Sequence, residues 1–181
     1  MKKLALVSGI ALSLSLSAEP SRAAEGVKRI GVQAGFAGMS SEGKFAGYGG
    51  ALSAGWSITD AWTLGIIAAA SSNQVAAKGG RSLVLSQAVG VSYALDIIQI
   101  VPYFGVYVGA YELTGGGLQG TQVKPGAQLA FGLDWVHSRT FTFGLELKAH
   151  ALPGDFLRQP DNPTPFYATT FLKAEYTWGW F

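Results

Sequence analysis

Apolar and polar residues alternate one by one along most of the chain beyond its first two dozen residues. The clearest run sets Phe141, Phe143, Leu145, Leu147 and Ala149 against Thr142, Gly144, Glu146, Lys148 and His150. Ile30, Val32, Ala34 and Phe36 alternate in the same way with Arg29, Gly31, Gln33 and Gly35. So do Leu129, Phe131, Leu133 and Trp135 with Gln128, Ala130, Gly132 and Asp134. A period of two gives a strand one apolar and one polar face, whereas a helix would scatter these residues around its circumference.

The pattern predicts eight strands, at 28–39, 46–58, 62–72, 81–95, 99–112, 123–136, 141–152 and 165–181. Short links at 59–61, near Asp96 and at 137–140 alternate with longer polar or Gly/Pro-rich links at 40–45, 73–80, 113–122 and 153–164. Strict alternation between an even number of strands predicts an all-β, transmembrane, antiparallel up-and-down barrel, with tight turns and both termini at one end and long loops at the other. A basic residue facing lipid at mid-depth costs about 2 to 4 kcal/mol, so the apolar parity is expected outward and the polar parity inward.

The first residues carry a separate signal. Lys2 and Lys3 precede an uncharged, largely apolar stretch from Leu4 to Leu16, and small residues follow. This predicts an export signal at 1–23, cleaved after Ala23 with Ser21 three positions back, Ala18 being the second choice of site, and a barrel over 24–181. The apolar stretch is shorter than the roughly 20 residues that a membrane helix needs. Cleavage takes away Lys2, Lys3, Arg22 and Glu19, so the 13 basic and 11 acidic residues fall to 10 and 10. A neutral mature chain without a basic patch argues against a nucleic-acid partner.

With 49% hydrophobic residues, 13% charged residues, 25 glycines and a mean hydropathy of +0.27, the chain is too apolar for an ordinary soluble domain. Residues 97–111 carry no charge, which could suggest a membrane helix. Pro102, Gly105 and Gly109 oppose a helix there, and Tyr103, Val106, Tyr107 and Val108 favour a strand. The absence of cysteine excludes a disulfide framework, a thiolate metal site and a cysteine nucleophile.

Trp56, Trp62, Trp135, Trp178 and Trp180 all fall at the short-turn ends of strands, the pattern of an aromatic girdle at one membrane interface. Phe36, Tyr48, Tyr111 and Phe166 are candidates for the other level.

The C-terminal run Ala174-Glu175-Tyr176-Thr177-Trp178-Gly179-Trp180-Phe181 resembles the closing strand of bacterial outer-membrane proteins, which ends in phenylalanine after alternating hydrophobic residues. Together with the export signal and the strand pattern, the whole mature chain resembles the small eight-stranded outer-membrane barrels of the OmpA and OmpX type. The resemblance implies a Gram-negative outer-membrane location, contact with outer-membrane lipid and lipopolysaccharide, and Tyr176, Trp178, Trp180 and Phe181 as a signal read by the assembly machinery. In that family the hydrophobic positions share parity with the final Phe. Here Tyr176, Trp178 and Trp180 lie on the other parity, which calls for a bulge near Gly179 or for Trp180 to serve in place of Phe181.

Candidate chemistry is sparse, and no cofactor is expected. Gly115 to Gly120 matches GxGxxG, but a strand rather than a helix follows, so no helix N-terminus is at hand to hold phosphate. His150, with Asp155 or a loop serine, is the candidate general base of a lipid A-modifying enzyme. A deacylase of the PagL type has His-x-Ser-Asn, whereas His150 precedes Ala151, Leu152 and Pro153. His137 falls in a short turn, and two distant histidines offer no metal site.

Asp134, Glu146, Lys148, Lys173 and Glu175 fall on the inward parity of the last three strands as a cluster of alternating sign. Pairing 141–152 with 165–181 is expected to bring Glu146 level with Lys173, Lys148 lying one or two residues away. Mutual neutralisation inside a plug of side chains is the first reading, and a selectivity filter or proton path the second. Inward glycines at 31, 35, 47, 49, 55, 65, 105, 109, 132 and 144 suggest unfilled lumen, hence a narrow channel or small-ligand carrier as the alternative to a structural or surface-interaction barrel.

Overall fold

A computed structural model describes residues 25–39, 47–75, 80–95, 99–115, 120–152 and 167–179. They form strands β1 (Lys28–Met39), β2 (Gly47–Ser57), β3 (Trp62–Val75), β4 (Gly80–Ala94), β5 (Ile100–Gly115), β6 (Gln122–Val136), β7 (Phe141–Ala151) and β8 (Tyr167–Trp178). Each strand pairs antiparallel with its sequence neighbours, and β1 pairs with β8 from Lys28↔Trp178 to Met39↔Tyr167, so the sheet closes on itself. Closure leaves no strand edge unpaired. Among the described residues there is no helix long and apolar enough to cross a membrane.

Two strands are longer than the pattern predicts. β3 continues past 72 through Asn73 and Gln74, and β5 past 112 to Gly115. These polar residues read as loop, yet their backbone continues the ladder with β4 through Asn73↔Ser82, Gln74↔Arg81 and Ser82↔Gly115. Above the apolar band a strand no longer needs an apolar face, so alternation stops before the hydrogen bonding does.

The wall is polarised inside out. Most outward strand positions are apolar, with Leu172 70% and Val32 58% exposed, while Gln33, Gln128, Asp134, Glu146, Lys148, Lys173 and Glu175 are buried in the lumen. Short turns are held by side chains: Thr59 Oγ1 accepts from the Trp62 amide at 3.0 Å, and Ser138 Oγ from the Phe141 amide at 3.0 Å.

Inward glycines do not leave the lumen open, contrary to expectation, because large inward side chains lie over them. A Cβ on Gly132 would come within 2.3 Å of Tyr103 Cζ, one on Gly105 within 2.7 Å of Tyr107 Cε2, and one on Gly126 within 2.6 Å of Tyr111 Cε2. Phe171 leans towards Gly35 in the same manner. Tyr103, Tyr107 and Tyr111 follow one another on the inward face of β5, so one strand contributes much of the filling.

Candidate functional site

The lumen is layered along the barrel axis. In the short-turn half, Arg29, Ser53, Thr63, Tyr103, Asp134 and Lys173 border a polar cavity of about 80 Å³, room for a few water molecules. In the middle, Ala51, Ile67, Ala88, Tyr107, Ala130 and Phe171 form an apolar layer. Towards the long-loop end, Ala37, Val84, Tyr111, Leu113, Leu152 and Tyr167 form a second one. Phe171 is 1% exposed and Tyr111 0%, so both rings are enclosed within these layers.

The five charged residues singled out in the sequence all point inward and form two groups of ion pairs, in a different pairing from the one expected. Across β7 and β8 the register sets Glu146 opposite Phe171 and Lys173 opposite Gly144, so Glu146 and Lys173 are two residues out of level. Lys173 Nζ lies 2.8 Å from Asp134 Oδ1 and 3.5 Å from Glu175 Oε2. Glu146 forms its ion pair with Lys148, whose Nζ also donates to Gln33 Oε1 at 2.7 Å. The bare Cα of Gly144 is what permits the main pair, since a Cβ there would collide with Asp134 Oδ1.

Sequence reasoning missed Tyr103, which joins the two pairs. Its hydroxyl donates to Glu146 Oε2 at 2.7 Å and accepts from Lys173 Nζ at 2.9 Å. Lys173 Nζ also lies 4.2 Å from the centre of the Tyr103 ring. Alternation of Tyr103, Gly105, Tyr107, Gly109 and Tyr111 on one parity was the available signal, because tyrosines interleaved with glycines on an inward face are spaced to lie over them. Arg29 stands apart from these pairs and donates to Ser57 Oγ at 3.0 Å.

His150 is buried in the lumen rather than presented at a surface. Its Nδ1 lies 2.9 Å from the Tyr111 hydroxyl and its Nε2 3.3 Å from Thr169 Oγ1, and its ring packs on Tyr167 at 4.4 Å between centroids. Tyr167 in turn reaches Ser71 Oγ at 2.6 Å. Both imidazole nitrogens are therefore engaged by hydroxyls, and Asp155 lies outside the described residues. No group of three or more His, Asp or Glu side chains able to hold a metal occurs among the described residues.

On the outer wall, Trp56, Trp62, Trp135 and Trp178 are exposed at the short-turn ends of their strands. Register ties them to one level: Lys28 is opposite both Trp56 and Trp178, and Trp62 is opposite Tyr93, their rings 5.0 Å apart. Of the residues expected at the opposite level, Phe36 and Tyr48 are outward and paired with each other. Tyr111 is not among them. It belongs to the inward parity of β5, where Gly126 makes room for its ring. Tyr176 and Trp178 point outward, and Gly179 follows with φ +91°, which breaks the extended run where a bulge was expected. Trp180, Phe181 and Phe166 lie outside the described residues, as do residues 1–24.

No protein-family model matches the chain, and no curated protein matches it in sequence. Solved structures do. The chain is similar to Ail, the attachment invasion locus protein of Yersinia pestis, at 15% identity and a TM-score of 0.57, covering 85% of this chain and 99% of that one. It is similar to Neisserial surface protein A at 15% identity and a TM-score of 0.67, covering 84% and 99%. The N-terminal β-barrel domain of Pseudomonas aeruginosa OprF matches at 13% identity and 0.55, covering 85% and 98%. Ail has also been solved with the heparin analogue sucrose octasulfate. The fold is that of the small eight-stranded bacterial outer-membrane barrels.

Proposed function

We propose that the chain is exported through removal of residues 1–23 and that residues 24–181 form a closed barrel in the outer membrane of a Gram-negative cell. There it acts as a structural or surface-interaction protein that presents the segments joining β1 to β2, β3 to β4, β5 to β6 and β7 to β8 to the exterior. The observation that carries this reading is the inverted polarity of the wall, apolar outside and charged inside, which suits a surround of lipid. Trp56, Trp62, Trp135, Trp178 and Trp180 serve as the periplasmic girdle, and Tyr176, Trp178, Trp180 and Phe181 as the assembly signal. Lipid, lipopolysaccharide and the assembly machinery are its partners during biogenesis and residence. The sulfated ligand solved with Ail supports a surface-interaction role for a wall of this shape.

The chain carries out no catalysis in this reading: His150, the candidate base, is enclosed by Tyr111, Tyr167 and Thr169. The polar cavity of the short-turn half favours a channel as second reading. The mid-barrel layer around Phe171 and Tyr107 weighs against it. Fractionation of expressing cells, followed by gels of unheated and boiled samples, tests the proposal. The mature protein is expected in the outer-membrane fraction with a heat-dependent shift; recovery from the soluble periplasm without that shift would overturn it.

A further inference from the structure

On the outer wall, at the long-loop end of β8, β1, β2, β3 and β4, lies a groove of about 610 Å³. Register explains its form. Thr170, Phe36, Tyr48, Ser72 and Leu83 make one outward row across these strands, and their outward neighbours on the loop side are Ala168, Gly38, Gln74 and Arg81. The rings of Phe36 and Tyr48 therefore stand beside a floor of small residues, Ala168, Gly38 and Gly47.

The groove slopes. The outward row through Trp56 runs by way of Leu64, Val91 and Val106 to Leu129 on β6, six residues to the loop side of Trp135. Trp56 and Trp135 share the short-turn level, so rows of register partners climb towards the long loops from β8 through β1 to β4, as strand tilt in a closed barrel requires. The Arg81 end of the groove is its outer end, and the end at Ala168 and Thr170 lies deepest.

Chemistry changes along that slope. At the outer end the Arg81 guanidinium is fixed over Tyr48, Nη1 donating to the hydroxyl at 3.0 Å and Cζ lying 5.2 Å from the ring centre. A guanidinium is a planar fork with N–H groups beyond the one given to Tyr48. The Tyr48 hydroxyl, accepting from Arg81, keeps its own proton to donate, and Gln74 stands opposite Arg81 on β3. At the deep end the lining is Phe36, Ala168 and Thr170. No Asp or Glu lines the groove among the described residues, so the charge it presents is that of Arg81.

A ligand suited to both ends is an amphiphile, with an anion for the fork and hydrocarbon for the foot. Phosphate offers the pair of oxygens that a guanidinium engages in bidentate fashion. Phe36 and Tyr48 belong to the aromatic level where headgroups meet acyl chains. A lipid of the surrounding leaflet meets the groove in the right orientation, whereas a soluble anion has nothing to place against the foot.

We propose that this groove seats a phosphate-bearing lipid of the outer leaflet, its phosphate held by Arg81, Gln74 and the Tyr48 hydroxyl and one acyl chain lying along Phe36 and Ala168. The inference rests on the membrane placement proposed above.

Purified barrel in detergent is titrated with bis-phosphorylated lipid A, with the same lipid stripped of its phosphates, and with inorganic phosphate, bound lipid being counted by native mass spectrometry. The phosphorylated lipid is expected to bind about ten-fold more tightly than the stripped one, the order expected of a hydrogen bond to a charged group. Arg81→Ala is expected to abolish that preference. Ala168→Phe fills the foot and leaves the charge, and should weaken binding about ten-fold, as the loss of roughly two buried methylenes would. Lys28→Ala removes a charge of the same sign at the short-turn level and should change nothing. Equal binding of the two lipids, an unchanged preference in Arg81→Ala, an equal loss in Lys28→Ala, full binding in Ala168→Phe, or displacement of the lipid by equimolar inorganic phosphate would each overturn the proposal. The heat-dependent gel shift shows which variants are closed; should Arg81→Ala fail to close, the stripped lipid tests the same contact on the natural chain. Failure in these titrations refutes the lipid seat alone, whereas absence of the natural chain from the outer-membrane fraction refutes the placement.

Discussion

Tyr103 stands directly opposite Gly132 on the neighbouring strand, and its ring occupies the volume that a side chain at 132 would need. The glycine sets the tilt of the ring, and the tilt delivers the hydroxyl to Glu146 and Lys173. Gly132→Ala is expected to displace the ring and destabilise the barrel by about 1 to 3 kcal/mol through overpacking. Tyr103→Phe keeps the ring but strips a buried carboxylate and a buried ammonium of one partner, at about 1 to 3 kcal/mol. Because both changes break the same hydrogen bonds, the double variant should cost less than the sum. Urea unfolding in detergent, followed by tryptophan fluorescence, checks all three.

The ion pairs make a separate prediction. Lys173→Met should destabilise by about 3 to 5 kcal/mol, because Asp134 is left buried without its main counter-charge. Adding Asp134→Asn should recover much of that loss, whereas adding Glu146→Gln should not, since Glu146 keeps Lys148. Equal rescue by both second substitutions, measured in the same unfolding experiment, would mean that the cluster acts as one undivided pool of charge.

Phe171 supplies the prediction on conduction. Wild-type barrel in a planar bilayer is expected to pass no steady current, because the apolar middle layer offers ions no hydration. Phe171→Ala removes a large side chain of that layer, whose ring centre lies 5.2 Å from Lys148 Nζ, and should open a narrow conductance. The same variant should lose about 3 to 5 kcal/mol of stability from the cavity it creates. A conducting wild type would favour the channel reading.

Truncation addresses the closing strand. Removing Phe181 alone should lower the yield of assembled barrel, and removing Trp178 to Phe181 should lower it further, since Trp178 is an outward anchor opposite Lys28. Gel shift of membranes from cells expressing each form at equal levels is the measurement. Unchanged assembly in both would show that the C-terminal resemblance carries no assembly role.

The strand framework was legible because a wall with lipid on one side and a side-chain plug on the other forces a strict period of two, as in Phe141 to His150. Loop asymmetry and the level of the tryptophans followed from the same constraint. Register was not legible to the residue: a slip of two keeps every side chain on its proper face, so alternation alone could not tell Glu146 opposite Lys173 from Glu146 opposite Phe171. The filling of the lumen was misread for a related reason. Glycine at 65, 105 and 132 was counted as missing volume, when it is the clearance that lets Tyr103 and Tyr107 lie flat. Tyr111 is a candidate for the second aromatic level in the sequence, although its parity matches that of Tyr103 and Tyr107, which turn inward.

The apolar layer at mid-barrel has a consequence for the cell that carries it. In the membrane placement proposed above, a wall whose interior is filled by Phe171, Tyr107 and Ile67 is expected to add no leak, however many copies are inserted. On that expectation, the abundance of such a protein would be bounded by the membrane area it occupies and would leave the traffic of solutes across the envelope unchanged.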